Sequence, residues 1–80
     1  MLRKNIRKKF IPTDYGWISE KTPPQDNYNI VLLLYNNFEE IFMEFIGYYE
    51  NNKWHCNEDE FSDCEVLGWI PLPYNPDNKI

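Results

Sequence analysis

Apolar residues in this chain come in short bursts separated by Asn- and Pro-rich punctuation. The clearest burst covers residues 29–35, where Ile30-Val31-Leu32-Leu33-Leu34 is unbroken. A run of that length between turn residues predicts a strand covered on both faces. Asn36-Asn37 then reads as a turn, because Asn tolerates positive φ. Residues 38–50 carry two patterns at once. Phe38, Ile41, Phe42, Phe45, Ile46 and Tyr49 fall at helical spacing, whereas strand alternation puts Phe42, Ile46 and Tyr48 on one face with Glu44 and Glu50. Three features favour a strand. The stretch is aromatic and β-branched, Gly47 would weaken a helix interior, and Tyr49-Glu50-Asn51-Asn52-Lys53-Trp54 reads as a hairpin. A single helix over residues 38–50 is the rival reading.

Residues 53–57 supply the returning strand, residues 57–63 an acidic loop, and residues 65–72 the last strand, closed by Pro71, Pro73 and Pro76. Upstream, Gly16-Trp17-Ile18-Ser19 is a short apolar piece, and the paired Pro23-Pro24 cannot sit in the middle of a sheet. The expected fold class is mainly β, or α+β if the helix holds. Its sheet is a small antiparallel meander of strands 29–36, 41–50, 53–57 and 65–71. Residues 1–13 read as a basic tail that enters the fold near Phe10, and residues 14–80 as one β-rich domain.

Composition says what fills the core. An 80-residue chain buries only about 60–65% of the surface it exposes when unfolded. Here 18% of the residues are aromatic, and each large ring buries on the order of 150–250 Å². Trp17, Trp54 and Trp69 are the expected structural core. Charge is lopsided: Arg3, Lys4, Arg7, Lys8 and Lys9 crowd the first nine positions, while residues 10–80 set three lysines against thirteen acids, a net −10. A body this acidic repels phosphate, so nucleic acid is an unfavoured partner. No apolar stretch approaches the roughly 18 residues that span a bilayer, and no secretory signal pattern is read at the start, so the expected location is cytoplasmic, with no membrane. Two cysteines, Cys56 and Cys64, fit a reducing compartment.

The two tripeptides Gly16-Trp17-Ile18 and Gly68-Trp69-Ile70 echo each other, each followed by prolines. Taken with what lies between, the order resembles domain of unknown function 551, a family of short phage and prophage proteins. The matching pieces are Trp17-Ile18-Ser19 before Pro23-Pro24, Val31-Leu32-Leu33, Ile46-Gly47-Tyr48-Tyr49, Trp54 and Trp69-Ile70-Pro71-Leu72-Pro73. Together they cover residues 16–76. Gly68 stands where that family often has His, and Ile70 where it has Met. The resemblance implies a phage or prophage accessory protein and assigns no activity.

Chemistry has few footholds. His55, Cys56 and Cys64 are the soft ligands, but adjacent His55 and Cys56 point to opposite faces of a strand and their spacing departs from zinc knuckles. No cofactor, no metal site and no catalytic set of acid, base and nucleophile is expected. Tyr48 and Tyr49, one pointing each way on a strand, and Tyr74 are the expected contact residues, with Arg3, Lys4, Arg7, Lys8 and Lys9 as an electrostatic tip. The expected function is binding without catalysis: an accessory factor, in counter-defence for example, that occupies a host macromolecule or a small signalling ligand. The alternatives are an assembly protein whose sheet edge pairs copies into homo-oligomers, and an acidic mimic of nucleic acid.

Overall fold

The computed structural model describes residues 9–26 and 28–72. Five strands form one antiparallel sheet: β1 (Ile18–Ser19), β2 (Ile30–Asn36), β3 (Ile41–Glu50), β4 (Lys53–Cys56) and β5 (Cys64–Pro71). Two short 3-10 turns, Pro12–Tyr15 and Asp59–Asp63, precede β1 and β5. The helix reading of residues 38–50 is overturned, because β3 pairs along most of its length with β2. Its helical spacing of rings was incidental to a strand whose two faces are both partly apolar.

The apolar run becomes the central strand, as its continuity requires. Leu32 and Leu34 are fully buried on one face and Leu33 nearly so on the other. Each β2 residue has a neighbour on both sides, β3 and β5, so neither edge of the strand meets water. A buried Asn36 ends it: Oδ1 accepts from the backbone N–H of Phe38 at 2.8 Å and of Glu39 at 2.9 Å. That side-chain-closed turn reverses the chain into β3. The next reversal is a two-residue hairpin with Asn51 at φ 56° and Asn52 at φ 63°, the twisted turn that suits antiparallel strands.

Consecutive strands β2, β3 and β4 form a meander, but the expected meander does not extend to the fourth strand, residues 65–71. β5 then returns past all three to lie on the far side of β2, giving the sheet order β1-β5-β2-β3-β4. Strands β2 to β5 thus form a Greek key. The register of β5 slips between Leu33 and Leu34, where Leu67 and Gly68 together oppose Leu33. This bulge brings Val66 and Trp69, three residues apart, onto one face, which a regular strand cannot do.

Each face has its own cluster. On the Leu32 face, Ile30, Leu32 and Leu34 are covered by Met43, Phe45, Trp54, Phe61 and Trp69. On the Leu33 face, Leu33, Tyr35 and Leu67 are covered by Phe10, Trp17 and Phe42. Packing therefore reaches back to Phe10, within the segment assigned to the tail. The two echoing tripeptides meet: Ile18 pairs with Trp69, yet Trp17 and Trp69 enter opposite faces.

Candidate interaction surface

Among the described residues, Phe10 and Trp17 cover one half of the Leu33 face. Phe10 stacks on Tyr15, with ring centroids 5.0 Å apart, and tilts against Phe42 at 4.8 Å, so that half is roofed by rings. Among the described residues, the other half has no such roof. Val31 lies between Ile46 on β3 and Ile70 on β5, an aliphatic row across three strands. Ile46 is 56% exposed, because β4 begins pairing only at Gly47 and leaves Ile46 without a cross-strand partner on that side among the described residues. One row further on, Tyr48 opposes His55 and the rings stack at 4.7 Å, nearly parallel. The His55 ring is held in place by its Nε2–H, which donates to the Glu50 carbonyl at 3.1 Å. The result is a flat aliphatic and aromatic patch with the carboxylate of Glu44 beside it.

Tyr49 points to the opposite face, as adjacency on a strand demands, and packs on Trp54 with centroids 4.6 Å apart. It also lines an open groove of about 380 Å³ between the β3–β4 hairpin and the proline loop, with Pro24, Gln25, Asp26, Asn51 and Asn52. That loop is tied to the sheet by Trp69, whose indole N–H donates to the Thr22 carbonyl at 2.9 Å. Trp17, Trp54 and Trp69 are each partly buried against one of the two clusters.

His55 and Cys56 do face apart: the imidazole lies on Tyr48, whereas Cys56 packs towards Leu32. Both thiols donate to carbonyls, Cys56 to Ile46 at 3.5 Å and Cys64 to Glu60 at 3.3 Å. Burial pushes the Cys64 thiol above its ordinary range, and Glu60, Asp63, Cys56 and Glu39 push it further the same way. A thiol held protonated is a poor nucleophile. Among the described residues, no three His, Cys, Asp or Glu side chains gather closely enough to hold a metal ion. No helix among them is long and apolar enough to cross a membrane.

Of the contact residues expected from sequence, Tyr48 and Tyr49 lie on different surfaces, and Lys9 is exposed. Tyr74, Arg3, Lys4, Arg7 and Lys8 lie outside the described residues. Sequence reasoning missed Ile46 as a contact residue and named it only among the apolar residues at helical spacing. The signal was there in the alternation, which groups Ile46 and Tyr48 with Glu44 and Glu50: apolar residues sharing a strand face with acids mark a partly solvated face. Comparison of the chain with protein-family models, with curated proteins and with solved structures finds no match in any of the three.

Proposed function

We propose that this chain is a binding protein without catalytic activity, a phage or prophage accessory factor of the host cytoplasm that occupies a host macromolecule. The phage setting is supported by the ordered motifs of residues 16–76. The binding reading is supported above all by one observation: the row Ile46-Val31-Ile70 beside the Tyr48–His55 stack is an aliphatic and aromatic surface on a rigid sheet, with Ile46 56% exposed. Burying an exposed Ile at an interface contributes about 1.5–3 kcal/mol, so Ile46→Lys should weaken such a complex by about 10- to 100-fold. The test is affinity capture from host cells with the full chain and with Ile46→Lys, after checking that both melt alike. A host macromolecule retained by the first and lost by the second supports the reading. Equal retention by both, or none by either, sinks it.

A second reading has its own observation. The groove beside Tyr49 has the volume of a small-ligand site, about 300–1,000 Å³, and offers a ring face with amide and carboxylate groups around it. A small molecule released by denaturing the purified protein, absent from Tyr49→Ala and present in Ile46→Lys, would favour ligand capture.

A further inference from the structure

β3 is ten residues long, but β4 pairs only with residues 47–50 of it. Along residues 41–46 the inner edge is joined to β2 throughout, while the outer edge has no strand partner among the described residues. Six residues of open edge run about 20 Å. Apart from the Ile46 carbonyl, which accepts from the Cys56 thiol, their outward backbone N–H and C=O groups form a row of donors and acceptors with no strand partner among the described residues, which is a template for another strand. The two terminal strands of the sheet are kept short, at two residues for β1 and four for β4, with Lys53 on the latter. The open stretch of β3 carries a single charge, Glu44, amid Ile41, Phe42, Met43, Phe45 and Ile46.

We propose that this edge pairs with the same edge of a second copy of the chain, antiparallel, about a twofold axis at Met43. The register follows from symmetry and charge. A twofold that pairs two identical antiparallel strands runs perpendicular to the sheet, so one residue must face its own copy. Near the middle of the stretch only Met43 or Glu44 can take that position with five residues paired on each strand. Centring on Glu44 sets two carboxylates directly opposite, which is destabilising. Centring on Met43 sets Met43 against itself, Ile41 against Phe45 and Phe42 against Glu44. Ile41, Met43 and Phe45 share the Leu32 face, so the pair joins six apolar side chains in one continuous row. Ile41, 40% exposed in the single chain, gains a partner there. The two sheets become one of ten strands. This pairing is independent of host binding at Ile46.

Sedimentation of the full chain over a range of concentrations reads the association directly, and Ile41→Lys, at a part-exposed position that leaves folding intact by circular dichroism, should raise the dimer dissociation constant at least tenfold. The register is read by cross-linking in a background carrying Cys56→Ser and Cys64→Ser. With a mild oxidant, Met43→Cys should form a disulfide-linked dimer and Glu44→Cys should not. A chain that stays monomeric up to millimolar concentration overturns the proposal. So does unchanged association of Ile41→Lys, or a Glu44→Cys chain that cross-links more readily than Met43→Cys. Should Met43→Cys fail to fold, Ile41→Cys combined with Phe45→Cys reads the same register.

Discussion

At Gly68 the absence of a side chain is what lets β1 and Trp17 approach β5. A Cβ there would lie 2.7 Å from the Ile18 carbonyl oxygen and 3.2 Å from the Trp17 Cβ, and the first is backbone that cannot swing aside. Gly68→Ala should therefore cost about 1–3 kcal/mol, the usual range for overpacking, read as a lower denaturation midpoint. Any larger side chain at 68, a histidine included, has no room while Trp17 covers that spot. Gly47 is constrained in the same way, since the Leu32 side chain and the His55 carbonyl fill the space where its Cβ would go. Cys64 gives a prediction with a sign. Its thiol binds a proton more tightly folded than unfolded, because burial and nearby acids disfavour the thiolate. The unfolded chain deprotonates first as pH rises past the ordinary value of 9.0, so Cys64 should erode stability above that pH and leave it untouched below. Urea titrations at pH 7 and pH 10 check this, alongside alkylation at pH 8.5, where Cys64 in the native chain should react more slowly than in the denatured one.

Among the elements, the hairpin between β3 and β4 rests on two Asn residues at positive φ. Asn-Gly is the preferred pair for such a turn, so Asn52→Gly should leave stability level or raise it by about 0.5 kcal/mol, whereas Asn52→Val should lower it by about 1–2 kcal/mol. Thermal melts of the two variants distinguish these outcomes. This hairpin and β2 were legible in the sequence because their signals are local: a dipeptide at a turn, and a continuous apolar run between Asn residues. β3 was harder, since its apolar residues fit helical spacing and only its aromatic and β-branched content, Gly47 and the hairpin beyond it favour a strand. The bulge at Leu67 left no mark in the sequence at all. It is set by the need to turn both Val66 and Trp69 towards Leu32, a demand made by β2 from more than thirty residues away. Tyr48 and Tyr49 were separable by alternation, but Ile46 is exposed because β4 stops short, and within β3 only the acids sharing its face, Glu44 and Glu50, point to that.

The molecule as a whole is organised around one strand with a cluster on each side. Leu32 and Leu33 are neighbours in the chain and belong to different clusters, so loss of either side strips cover from the same backbone. The two halves should unfold together. Trp17 reports on the Leu33 side and Trp54 with Trp69 on the other, which makes the coupling measurable. Fluorescence of Trp17→Phe, and of a chain carrying Trp54→Phe with Trp69→Phe, should each lose signal at the same urea concentration as its own circular dichroism. Midpoints that separate in either chain would mean that the clusters melt independently.

The return of β5 to the far side of β2 also matters before the fold exists. β2 leaves the ribosome with its β3 partner close behind it, but its other edge waits until Pro71 has been made. At about 5–20 residues per second the interval from Asn36 to Pro71 lasts about 2–7 s. During that time the most apolar segment of the chain is a half-dressed strand, open to any other nascent chain on the same messenger. Vectorial synthesis thus sets a period of vulnerability that strand order alone creates, and a rearranged gene in which the β5 segment is translated before β2 would close it.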